Sequence, residues 1–230
     1  MIGCLCIHGF TGGPYEVEPL ARYLQERTDW LVELVTLPGH GETLRLKGIT
    51  YDQWLAAAEA ELQRLMKKCD IVHVIGFSMG GVITSYLAAK YPISKVVLLS
   101  PAFYYINPKQ LLKEVGEMVY AGLQRQLKEH PVFIRYKEKI ATTPLAATVE
   151  FRKLVHEVRP QLPNVHIPVL IAQGELDGIV PMKSARYVYE TVGSTKKKLL
   201  FLPSSRHHVC HEPDRYTLFK EVEHFLREHA

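Results

Sequence analysis

The sequence predicts an α/β fold, a mainly parallel sheet with helices on both faces, and three observations carry that expectation. Short apolar runs rich in Val, Ile and Leu recur along the chain, as strands buried on both faces do. Segments of helical spacing alternate with them. Several of the runs end in glycine-rich turns, which places their loops on a shared edge of the sheet.

The first run, residues 2–7, stops at His8-Gly9-Phe10-Thr11-Gly12-Gly13-Pro14, a strand ending in a glycine-rich turn. Val17, Leu20, Tyr23 and Leu24 then fall on one helical face. A second strand, residues 31–37, ends at Pro38-Gly39-His40-Gly41. Thr50 and Gln53 have the spacing of a capping box, in which the two side chains satisfy free backbone N–H groups at a helix start. Trp54, Leu55, Ala58, Leu62, Leu65 and Met66 form the apolar face of the helix that follows. Strand 71–75 leads into Gly76-Phe77-Ser78-Met79-Gly80-Gly81 and then a helix over 82–90. Residues 95–99, 168–172 and 198–202 read as the remaining strands.

Between 104 and 165 the rhythm breaks. Leu111, Val115, Met118 and Val119 mark one amphipathic helix, and Val149, Leu154, Val155 and Val158 suggest another, with several prolines and no convincing strand. The segment reads as a helical cap, or lid, over the strand ends, inserted between core segments 1–103 and 166–230.

The 230 residues suffice for one well-buried core. No apolar run has the length needed to cross a bilayer, and no charged region precedes a hydrophobic one at the start, so a cytoplasmic protein without stable membrane insertion is expected. The four cysteines, Cys4, Cys6, Cys69 and Cys210, do not form a disulfide framework: Cys4 and Cys6 sit two apart on one strand face, too far apart to bridge without distortion. Reduced, buried thiols fit better. The net charge of +4 comes from residues 104–165, which hold ten Lys/Arg against six Asp/Glu. These basic residues are interleaved with acids and apolar residues, the pattern of a solvated helical surface, and no nucleic-acid partner is expected.

Ser78 carries the sharpest chemical signal. A serine flanked by glycines, where an apolar strand gives way to a helix, is a nucleophile elbow: the sharp turn exposes the hydroxyl above the sheet near a helix N-terminus. Chance yields such a five-residue pattern in about one chain in twelve of this length, so the strand–turn–helix context is what gives it weight. A serine hydroxyl needs a base, and the base needs a carboxylate to orient it. Asp177 lies in the tight loop Gln173-Gly-Glu-Leu-Asp-Gly-Ile-Val-Pro181 after a buried strand, with Glu175 as a rival closer to the strand end. His207 and His208, in Ser204-Ser-Arg-His-His-Val-Cys-His211 after the last strand, both qualify as the base. The backbone N–H groups of Met79 and Phe10 are placed to form an oxyanion hole.

HGFTG after the first strand, PGHG after the second, GFSMGG at the elbow, GELDGIVP and SSRHHV together resemble the α/β-hydrolases, in particular the small bacterial carboxylesterases and monoacylglycerol lipases, over nearly the whole chain. The resemblance implies an α/β-hydrolase fold with a six-stranded sheet, trimmed of the two antiparallel strands that open larger members. It implies Ser78 as nucleophile, Asp177 as orienting acid, and Phe10 and Met79 as oxyanion amides. It favours His207 as the base, since a serine two residues before it and an acid five after it (Ser205, Glu212) match the family's pattern. The doubled histidine departs from that pattern and keeps His208 as the alternative. The implied activity is cleavage of carboxylic esters with short to medium acyl chains through an acyl-enzyme. Thioester cleavage, acyl transfer or a non-catalytic binding role are the alternatives on the same fold. A small-molecule ester is the expected partner, whether the chain is a monomer or a homodimer, with no cofactor and no metal.

The other chemistry-bearing residues have plainer readings. His8 is expected to fix its loop, and His40 and His73 to be structural. Cys4, Cys6 and His8 share a strand face as core packing, and His207, His208, Cys210 and His211 lack a recognised metal-binding spacing. Ser100 reads as ordinary, and Phe103-Tyr104-Tyr105 either lines the substrate cleft or anchors the cap.

Overall fold

Wholly apolar runs find their place in the middle of a sheet covered on both sides, and that is where this chain puts them. The computed structural model describes residues 1–104 and 145–228. Its sheet has six strands: β1 (Ile2–Ile7), β2 (Leu31–Val35), β3 (Ile71–Phe77), β4 (Lys95–Leu99), β5 (Val169–Gly174) and β6 (Lys197–Leu202). They lie in the order β2-β1-β3-β4-β5-β6, every neighbouring pair parallel. These are the six strands read from the sequence, with shifted ends. Residues 36 and 37 leave β2, whereas β3 continues through Gly76 to Phe77 because pairing persists, Gly76 opposite Ile7 and Leu98, and Phe77 opposite Leu99.

Among the described residues six helices cover the sheet: α1 (Glu18–Arg27), α2 (Tyr51–Met66), α3 (Met79–Lys90), α4 (Leu145–Val158), α5 (Met182–Thr191) and α6 (Arg215–Arg227). Three-residue-per-turn helices at Pro14–Glu16 and Arg159–Asn164 join them. The period of two along β1 sorts its side chains. Cys4 and Cys6 pack with Leu20, Leu24, Leu218 and Val222 under α1 and α6, whereas Leu5 and Ile7 pack with Trp54, Leu62, Val82 and Leu154 under α2, α3 and α4. At the start of α2 the Thr50 N–H donates to Gln53 Oε1 at 3.0 Å, one half of the expected box.

The buried stripe of α4 differs from its reading. Val149 is 49% exposed; Leu154, Val155 and Val158 are buried as read, and Ala147 and Phe151 join them. Those five positions follow one helical face, from which Val149 is rotated away. The stripe joins the same buried cluster as α2 and α3. The helix expected around Leu111, Val115, Met118 and Val119 lies outside the described residues, as does Tyr105. All four cysteines are free and buried. Among the described residues no helix is long and apolar enough to cross a membrane.

Candidate active site

A parallel sheet leaves a crevice where neighbouring strands send their connections to opposite faces, and here that point lies between β1 and β3. The loop after β1 carries Phe10 and the turn after β3 carries Ser78. Between Phe77, the last residue of β3, and Met79, the first of α3, there is room for Ser78 alone. Its backbone is forced to φ +53° and ψ −113°, a strained region for a residue with a side chain. The strain is held from several sides: Ser78 N–H donates to Leu99 O at 2.8 Å, and Ser78 O accepts from Gly81 N–H at 3.0 Å and Ala102 N–H at 3.2 Å. A Cβ on Gly80 would sit 2.3 Å from Ile7 O, so glycine there lets α3 start directly against the end of β1. The Met79 N–H, in the first turn of α3, has no acceptor within its own helix.

Asp177 follows β5, its side chain buried. Oδ1 accepts the N–H groups of Ile179 (2.8 Å) and Val180 (2.9 Å). Oδ2 accepts from Gln173 Nε2 and from His207 Nδ1, both at 2.7 Å. Burial alone would push this carboxyl up, but His207 and the two backbone N–H groups outweigh it and hold Asp177 below its ordinary value. The carboxylate accepts only, so Nδ1 of His207 carries a proton. In the neutral ring Nε2 is then an acceptor, 3.0 Å from Ser78 Oγ.

The sequence reading favoured Asp177 over Glu175 and His207 over His208. His207 reaches both Ser78 and Asp177, whereas His208 Nε2 lies 3.4 Å from Glu16 Oε1. Glu175 is exposed, its N–H donating to Leu202 O. Ser100, read as ordinary, is fully buried with φ +45°, and its hydroxyl donates to the His207 carbonyl at 3.1 Å. Gln173 and Glu16 also escaped the sequence reading. The one available signal for Gln173 and Ser100 was a polar residue at the end of an otherwise apolar strand, on the edge that carries the elbow.

The β1 loop turns tightly: Gly12 N–H donates to Gly9 O at 3.3 Å, with Thr11 at φ +59°. His8 fixes it, Nδ1 donating to Gly9 O at 2.8 Å and Nε2 accepting Leu37 N–H at 3.1 Å. The Phe10 ring stacks on Phe151 of α4 at 5.3 Å and meets Trp54 edge-on at 5.9 Å, an aromatic wall beside the loop. His40 Nδ1 donates to Pro38 O at 3.0 Å. His73 lies in β3 against Trp30, and burial, with Lys95 nearby, lowers its pKa to about 4. Phe103 is buried, and its carbonyl accepts from Arg159, which also lies 4.6 Å over the Tyr104 ring. Arg159 thereby ties the chain at Phe103 and Tyr104 to the start of the 159–164 turn. Among the described residues, no three His, Cys, Asp or Glu side chains gather into a metal-binding group.

The whole chain aligns with a thermostable monoacylglycerol lipase of Bacillus sp. (strain H-257), 28% identical over 233 residues and 92% of that protein. A carboxylesterase of Bacillus subtilis (strain 168) is 26% identical over 96% of this chain and 91% of its own. Among solved structures, one from work on the metagenome-derived lipolytic enzymes LipS and LipT superposes with a TM-score of 0.81 at 25% identity, covering 99% of this chain and 94% of that one. The α/β-hydrolase fold is common to these structures. A family profile describing serine aminopeptidases, S33, matches residues 3–214, from β1 to the loop beyond His211, and the chain belongs to that family.

Proposed function

We propose that the chain is a serine hydrolase of carboxylic esters with short to medium acyl chains, monoacylglycerols included. Ser78 Oγ attacks the ester carbonyl as its proton passes to His207 Nε2. Asp177 holds the ring and stabilises the imidazolium, and the Phe10 and Met79 N–H groups receive the oxyanion. Collapse breaks the bond to the alcohol, which leaves with the proton from His207. Water, deprotonated by the same ring, then releases the acid and restores Ser78. The single observation that carries this reading is the continuous chain Ser78–His207–Asp177, at 3.0 and 2.7 Å, ending on a serine in a strained turn.

The family description favours a second reading, removal of N-terminal amino acids from peptides. Such an enzyme needs a group to receive the α-ammonium. Among the described residues, the buried acids near the loops, Glu16 and Asp177, already face His208 and His207. Phe10, half-buried and backed by the buried rings of Phe151 and Trp54, suits an acyl chain better, and the names of the two Bacillus relatives support esters. The test compares p-nitrophenyl esters of increasing length with aminoacyl p-nitroanilides, using wild type and Ser78→Ala. Ester turnover that vanishes in the variant and with phenylmethylsulfonyl fluoride, but survives EDTA, is the expected outcome. Faster cleavage of the anilides would move the protein to the peptidase reading.

A further inference from the structure

The doubled histidine leaves one imidazole with no part in the Ser78–His207–Asp177 chain. His208 faces Glu16, whose carboxylate is 4% exposed at the end of the Pro14–Glu16 turn. Oε1 of Glu16 lies 3.4 Å from His208 Nε2, and Oε2 accepts the Gly9 N–H at 2.8 Å. Burial alone would push this carboxyl up, but His208, His8 and the Gly9 N–H outweigh it and hold it below the ordinary range. The loop is built around the carboxylate: a Cβ on Gly12 would lie 1.9 Å from Oε2.

Gly9 is thus gripped at both ends. Its N–H is held by Glu16, and its carbonyl by His8 Nδ1 and the Gly12 N–H. That carbonyl belongs to the same planar peptide as the Phe10 N–H and points the opposite way, so fixing one aims the other. On the far side, His208 follows His207 directly, both rings rest on Phe77 at 4.9 and 5.3 Å, and His211 Nε2 donates to Tyr15 O at 2.9 Å. The histidine-rich loop therefore clasps the oxyanion loop at two points.

We propose that Glu16 and His208 form a positioning pair for acyl transfer: Glu16 pins Gly9 so that the Phe10 N–H meets the oxyanion, and His208 ties that carboxylate to the loop carrying the base. The inference rests on the reading of Ser78 and His207 given under Proposed function. An oxyanion donor acts in the transition state, so its misplacement lowers kcat and leaves KM.

The experiment measures p-nitrophenyl butyrate kinetics and the rate of Ser78 labelling by a fluorophosphonate, for wild type, Glu16→Ala, Glu16→Gln and His208→Phe, with melting curves to establish folding. Glu16→Ala is expected to lose about 30- to 100-fold in kcat and in labelling rate, with KM within about threefold of wild type. Glu16→Gln, whose amide oxygen still accepts the Gly9 N–H, should recover to within about fivefold, and His208→Phe should lose about tenfold. Wild-type kcat and labelling in folded Glu16→Ala, or a Glu16→Gln variant no better than Glu16→Ala, overturns the pair. If Glu16→Ala does not fold, wild-type rates in His208→Phe overturn it instead. A wild type that is labelled but does not cleave esters removes the ester reading, while the labelling rates still decide the pair. A wild type that is not labelled removes both.

Discussion

Asp177 receives four hydrogen bonds, two on each oxygen, from three kinds of donor: two backbone amides of its own loop, the side chain of Gln173 and the ring of His207. Such saturation fixes the carboxylate and through it the tautomer of His207. Asp177→Asn keeps the shape but loses the anion, and is expected to lower kcat about 10³- to 10⁴-fold at neutral pH in steady-state ester hydrolysis. A loss below about tenfold would take Asp177 out of its proposed role. Gln173 is a more instructive position, because its amide oxygen is buried without a partner while its nitrogen donates to Asp177 and Val180. Gln173→Leu removes that orphaned oxygen but also strips a donor from the buried Asp177 carboxylate and from Val180 O, so it should cost about 1–3 kcal/mol of stability while kcat falls. Parallel melting and kinetic measurements separate the two effects. At this scale Ser78 was legible in the sequence because its elbow is a local matter of strand, turn and helix. The residues alone left His207 and His208 both open, since adjacent loop residues point to different partners, and only the family resemblance favoured His207.

At the scale of elements, α4 shows how a partial signal misleads. Leu154, Val155 and Val158 lie on the buried face as read, but Val149 looks as apolar as they do and faces outward. Phe151 completes the stripe and carries it to Phe10 in the loop after β1. Leu154→Ala should therefore cost about 2–5 kcal/mol in urea unfolding, and Val149→Ser less than about 0.5 kcal/mol. Equal effects would mean that α4 is not seated as described. The helix α5 gave little warning individually. α5 buries only Ser184, Ala185 and Val188, too thin an apolar stripe to stand out from its flanking residues. Strands were easier, because burial on both faces demands unbroken apolar runs.

For the whole molecule, acid should weaken the fold in two stages. His73 is buried neutral, with a folded pKa of about 4 against an ordinary 6.5. The unfolded chain takes up a proton below pH 6.5 that the fold refuses, so stability is complete above 6.5 and falls toward pH 4, by about 3 kcal/mol from this residue. Asp177 and Glu16 are held below their ordinary values, so their contribution is present above about pH 4 and is lost below it. Denaturant unfolding of wild type and His73→Leu across pH 4–7 tests the first stage: the variant's profile should be flatter, and an unchanged slope would exclude His73 as the source. The sequence by itself determined the six strands, the alternation with helices, the elbow and the loops that hold Asp177 and His207, because these follow from apolar patterning and from backbone geometry within a few residues. Only the tertiary structure decided that His207 rather than His208 meets Ser78, that Ser100 and Gln173 brace the site, and that Glu16 sits behind the loop after β1. Each of those facts is a contact between segments far apart in the chain, and such a contact exists only once the sheet has set its strands side by side.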